Sequence, residues 1–141
     1  MSKLSKAYAL IIGVGNDLPT TVLDATAIYN ILVNEELAGY PEENIILLTE
    51  DKATRQGILS GFDGLISKID EDASVMLFYS GHGGFYEPWN QFYLVPNDFD
   101  ADDYDTTWIT AEELKEKINK INSRRLIFFL DCCHAAGMTR G

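Results

Sequence analysis

Cysteine is scarce in this 141-residue sequence: there are two, and they are adjacent, at Cys132 and Cys133. Neighbouring residues bridge only through strained geometry, so the pair makes no disulfide framework and reads as reduced thiols in a cytoplasmic protein. Positive charge is also thin. Eleven Lys and Arg stand against 22 Asp and Glu, a formal net charge of −11. Such a molecule repels phosphate backbones and anionic lipid surfaces and attracts basic substrates, so neither nucleic acid nor a membrane is an expected partner. No apolar run approaches the roughly 20 residues that span a bilayer. The opening MSKLSKAYALIIGVG has two lysines before an apolar run. That run is short, ends in GVGND and lacks a small-residue cleavage site, which makes it a first strand rather than a signal peptide. Repeats, low-complexity tracts and interdomain linkers are missing too. What remains is one globular domain over residues 1–141, with 46% hydrophobic residues to build a core.

Four nearly continuous apolar runs, Tyr8 to Val14, Ile45 to Thr49, Val75 to Tyr79 and Leu126 to Leu130, suit parallel strands covered on both faces. Helical patterns separate them. Val22, Ala25, Ile28 and Leu32 recur at mixed three and four spacing between Thr21 and Leu37, before the stop signal Gly39-Tyr40-Pro41. Ile58, Phe62, Leu65, Ile66 and Ile69 share one face from Thr54 to Ile69. Thr110 and Glu113 have capping-box spacing and start a third helix over about 111–121. The order β-α-β-α-β-α-β predicts an α/β fold of three layers, α/β/α, around a mostly parallel sheet with right-handed crossovers. The segment from Gly83 to Thr110 is long, and is expected to hold one short extra strand at FYLVP and then an acidic surface loop.

Ligands of open α/β sheets bind beyond the carboxyl ends of the strands, which directs attention to GVGND, TED, SGHGG and DCCHAAG. In FYSGHGG, alternation points Ser80 and His82 the same way, and the glycines bring backbone amides close to a ligand. In LIFFLDCCHAAG, alternation puts Asp131 and Cys133 on one side and Cys132 and His134 on the other. Cys133 is thus the expected partner of His82, with Cys132 as packing. An imidazole that takes the thiol proton and later returns it to a leaving amine makes a cysteine nucleophile, and the amides of Gly83 and Cys133 are placed for an oxyanion hole. No third acid is plainly placed to orient His82, so the expectation is a His82–Cys133 dyad oriented by a backbone carbonyl.

The motifs YSGHGG and DCCHAAG, with His82 and Cys133 51 residues apart, resemble the histidine and cysteine motifs of the caspase-like peptidases, whose spacing is about 50. The D-x-C-H form is similar to metacaspases and their bacterial relatives rather than animal caspases. The resemblance covers the whole chain and implies the large, p20-type catalytic portion, a cysteine endopeptidase with His82 as general base and Cys133 as nucleophile. It further implies that Asp131, Ser80 and Asp24 line the pocket for the substrate's P1 side chain. Two carboxylates there select Arg or Lys. The plainer reading of Asp24 is an acid complementing the helix dipole. Metacaspases continue C-H-S-G where this chain has Cys133-His134-Ala135-Ala136-Gly137, and the family fold continues through a p10-type portion. The chain stops eight residues after Cys133, so that portion is expected from the same precursor or a separate chain.

Other readings are weaker. The acidic stretch with Asp98, Asp100, Asp102, Asp103 and Asp105 raises calcium, which some metacaspases require, but the spacing lacks the central Gly and terminal Glu of an EF-hand, and a solvated loop is the simpler account. A nucleotide-binding domain would need glycine at Leu18 or a Walker-type G-K-[ST], and has neither. Zinc held by His82, Cys132, Cys133 and His134 conflicts with the diverging side chains of adjacent cysteines. A catalytically silent interaction scaffold is the remaining alternative, and both dyad residues are present.

Overall fold

The computed structural model describes residues 4–132. The first two apolar runs and the helix between them are β1 (Ala7–Gly13), α1 (Pro19–Val33) and β2 (Ile45–Thr49). Then follow α2 (Arg55–Lys68) and β3 (Ser74–Gly81), the short strands β4 (Gly83–Tyr86) and β5 (Gln91–Leu94), and the single turn α3 (Tyr104–Thr107). The two-residue β6 (Ile109–Thr110), α4 (Ala111–Asn119) and β7 (Arg125–Cys132) complete the described chain. β1, β2, β3 and β7 make a parallel sheet in the order β2-β1-β3-β7. The third and fourth predicted strands are thus neighbours, as consecutive pairing requires.

Helices cover both faces. Ala9 and Ile11 of β1 and Phe78 of β3 meet Ala25 and Leu32 of α1 on one side. Leu10, Ile12, Leu77 and Tyr79 meet Ile58, Phe62 and Leu65 of α2 and Leu114 of α4 on the other. The starts of α2 and α4 are fixed by side chains: Thr54 Oγ1 accepts from Gly57 N–H at 3.0 Å, and the Thr110–Glu113 capping box forms as its spacing predicts. Arg55 ties these two helix starts together through an ion pair with Glu113 and a 2.9 Å bond from Nε to the Trp108 carbonyl.

Three expectations needed correction. α1 ends at Val33 rather than Leu37, because Asn34 Oδ1 takes the Glu36 N–H at 2.9 Å and turns the chain before the glycine. The last apolar run is covered on one face only: Leu126, Phe128 and Leu130 pack on the core, whereas Ile127 and Phe129 are 52% and 45% exposed. α1 packs across β1, β2 and β3, and an apolar run by itself does not tell a covered face from an open one. Finally, Gly83 to Thr110 holds a second, antiparallel sheet, β4-β5-β6, of which the expected strand at FYLVP is the middle one, β5. Gly83 and Gly84 belong to β4, where a Cβ on Gly84 would lie 2.5 Å from the Tyr93 ring. Asn90, left-handed at φ 50°, turns the chain from β4 toward β5. Tyr86, Tyr93, Tyr104 and Trp108 pack edge and face over this small sheet.

One glycine sets how closely α1 meets the sheet. A Cβ on Gly13 would lie 2.4 Å from the Thr21 carbonyl oxygen and 2.7 Å from Ala25 Cβ. We therefore expect Gly13→Ala to destabilise the chain by about 1–3 kcal/mol through overpacking, read as a lower urea midpoint at unchanged slope; an unchanged midpoint would contradict this account of the contact.

Candidate active site

Pairing in the main sheet levels the strand ends. Gly13 pairs with Ser80, and Ser80 with Asp131. Partners in a parallel pair point to the same face, so Ser80 and Asp131 both face the α1 side, where the missing side chain of Gly13 lets the helix come close. The result is an open cleft of about 220 Å³ whose lining includes Leu18, Thr21, Asp24, Ser80, Asp131 and Cys132. All three residues expected to hold a P1 side chain therefore meet in one place. Ser80 is buried, while the two aspartates remain exposed to solvent. Asp24 lies beyond the first turn of α1, which contains no acid, so the helix-dipole account of it does not hold.

His82 sits between β3 and β4. Its carbonyl accepts from Tyr79 Oη–H at 3.0 Å and from Val95 N–H at 3.1 Å, which fixes its backbone. The half-buried ring faces a carboxylate: Nε2 lies 3.0 and 3.2 Å from the two Asp17 oxygens. No acid was expected beside His82, and Asp17 stands there. Asp17 belongs to GVGND, which follows the first strand, and that strand neighbours the one leading to His82. The adjacency was the available signal.

The loop carrying Asp17 is tightly held. Gly15 and Asn16 are both left-handed, at φ 80° and 59°. Buried Thr21 accepts from Gly15 N–H at 2.8 Å and donates to the Leu18 carbonyl at 2.7 Å. Asn97 donates through Nδ2 to the Val14 carbonyl at 2.9 Å and to Asn16 Oδ1 at 3.1 Å, and its own carbonyl accepts from Asn16 Nδ2 at 2.9 Å.

Gly83 opens β4 beside Cys132: a Cβ added there would lie 2.9 Å from the Cys132 Sγ. Cys132 itself is half-buried and packs on the core shared with α2 and α4, the packing role alternation gives it. Cys133 and His134 lie outside the described residues. In the acidic segment, Asp98 accepts from Arg55 N–H at 2.8 Å and Asp100 from Asp102 N–H at 2.9 Å. Those two carboxylates serve as local caps, and among the described residues no three His, Cys, Asp or Glu side chains gather as metal ligands.

The family model of the caspase domain, Peptidase C14, matches residues 6–141. The chain belongs to the caspase-domain family. Its similarity extends to named members, among them Metacaspase-1 of Eremothecium gossypii, 29% identical over 147 residues that cover 90% of this chain and 31% of that protein. Metacaspase-1 of Saccharomyces cerevisiae is 34% identical over 87 residues, 54% of this chain and 20% of that protein. The caspase-domain chain thus spans about a third or less of the length of these relatives. A crystal structure of a Geobacter sulfurreducens protein superposes with a TM-score of 0.68 at 20% identity, over 91% of this chain and 50% of that one, and shares the fold. Among the described residues no helix is long and apolar enough to cross a membrane.

Thr21 joins the cleft wall to the Asp17 loop through one hydroxyl. Thr21→Val keeps the shape and leaves the Gly15 N–H without its acceptor, for an expected loss of about 1–3 kcal/mol, seen as a lower thermal midpoint; a midpoint equal to the parent's would show that the hydroxyl does not hold the loop.

Proposed function

We propose that residues 1–141 form the p20-type catalytic portion of a cysteine endopeptidase that cleaves after Arg or Lys through His82 and Cys133. What carries the reading is the meeting of Asp24, Ser80 and Asp131 in one cleft, with Ser80 two residues before His82, in a chain of the caspase-domain family. His82 takes the Cys133 thiol proton, and the thiolate attacks the scissile carbonyl carbon. The amides of Gly83 and Cys133 hold the resulting oxyanion. As the C–N bond breaks, His82 returns the proton to the departing amine, leaving an acyl-thioester. Water, giving its proton to His82, then cleaves the thioester, releases the acid and restores the thiol.

The P1 preference follows from charge. Asp24 and Asp131 share the cleft and repel each other, and a guanidinium or ammonium between them attracts both, relieves that repulsion and accepts no hydrogen bonds itself. The net charge of −11 draws basic segments toward the molecule. A p10-type segment, on the same polypeptide or a separate one, is the proposed cover for β7, the sheet edge whose Ile127 and Phe129 are exposed. The thiol chemistry suits a reducing compartment, and we assign the protein to the cytoplasm.

Two measurements test the reading. Iodoacetamide labelling followed by peptide mapping is expected to modify Cys133 ahead of Cys132, and the preference is expected to vanish in His82→Ala; equal labelling of both cysteines in the parent chain would sink the dyad. On the full-length parent protein, a fluorogenic panel is expected to favour Arg and Lys over Asp at P1. Asp131→Asn should raise KM for the Arg substrate by about 10- to 100-fold, the loss of one charge-assisted contact. Preference for Asp at P1 would overturn the acidic pocket.

A further inference from the structure

Asp17 has no role in the reaction written above, yet its carboxylate lies against the base. We propose that Asp17 is the positioning residue of His82, so that the machinery is a triad, Asp17–His82–Cys133, in place of a dyad. This rests on the peptidase reading of His82 and Cys133. Both Asp17 oxygens lie within 3.2 Å of Nε2. An ionised carboxylate only accepts hydrogen bonds, so Nε2 carries the ring hydrogen in neutral His82 and Nδ1 is the nitrogen that accepts the thiol proton. When that proton arrives, the ring becomes an imidazolium whose charge forms beside the Asp17 carboxylate. The proton leaves Sγ, rests on Nδ1 and passes to the departing amine. The Nε2 hydrogen stays on His82 throughout, and Asp17 remains ionised.

An exposed pair of mobile side chains would mean little, and Asp17 is 73% exposed against 37% for His82. Here, however, the two backbones are anchored to one short segment. Val95 N–H holds the His82 carbonyl, and two residues later Asn97 holds Val14 and Asn16, the latter next to Asp17. The consecutive left-handed residues Gly15 and Asn16 turn the chain just before Asp17. For Asn16, which carries a Cβ, that conformation is uncommon and persists because its amide is bonded on both sides to Asn97. A carboxylate presented by a loop held this way is placed before substrate arrives, which is what orienting a base requires.

The test uses the 141-residue chain and does not need turnover. In the parent, 15N shifts of His82 are expected to report the Nε2–H tautomer in the neutral ring, and Cys133 to be alkylated by iodoacetamide at an enhanced rate. Asp17→Asn should mix the tautomers and slow alkylation by about 10- to 100-fold, a fraction of the full acid–base contribution. Its thermal midpoint should stay at the parent value, since the side chain is largely exposed, and Asp17→Glu should recover part of the rate. If Asp17→Asn keeps the parent tautomer and alkylation rate while His82→Ala abolishes the enhancement, the dyad stands and the triad is overturned. If His82→Ala alkylates as fast as the parent, the peptidase reading itself falls, and the role of Asp17 with it.

Discussion

Parallel pairing in fixed register is the constraint on which everything else in this molecule depends. It brings Gly13, Ser80 and Asp131 to one level at the carboxyl ends of three neighbouring strands. Because the side-chain period of a strand is two, the same register sends Ser80 and Asp131 to the α1 face and packs Cys132 on the core shared with α2 and α4, at the strand end where it also borders the cleft. A slip of one residue in β7 would exchange them, placing a carboxylate against an apolar core, so the burial of Leu126, Phe128 and Leu130 enforces the register that builds the cleft. Packing energy thereby decides which polar groups face the cleft.

The distribution of charge follows a related logic. Asp17, Asp24 and Asp131 all stay exposed, which spares the fold the cost of stripping water from three like charges. Solvent screens their repulsion while the cleft is open. A bound cation would displace that water and strengthen its own attraction to the pocket. The buried polar groups nearby, Ser80 and Thr21, are neutral hydroxyls. Thr21 spends both its donor and its acceptor capacity on backbone. Acidic function at this end of the sheet thus rests on a neutral, satisfied foundation.

Much of the main sheet was legible in the sequence because its evidence is local. Apolar runs at β1, β2 and β3 announce strands covered on both faces, and the Thr110–Glu113 spacing announces a helix start that the structure reproduces. The gathering of Asp24, Ser80 and Asp131 was readable from the resemblance and from alternation, since each lies near the end of a strand or the beginning of a helix. Features that depend on distant partners were not readable. Gly84 looks like a turn glycine until Tyr93 is known to lie across from it. Ile127 and Phe129 look like core until the extent of α1 is known. Asp17 looks like any loop acid until a left-handed pair of residues and an asparagine 80 positions away are seen to aim it. Cys133 lies beyond the described residues, and its place rests on chemistry and family.

The Val95–Asn97 segment carries one more consequence. It contacts His82 and the Asp17 loop at once, and it lies between the β4–β5 hairpin and the acidic stretch that follows. The Glu87–Asn90 turn and the Ala101–Asp103 stretch flank this clamp on either side. The bonds that hold His82 beside the Asp17 loop thus sit between two surface loops and draw on neither.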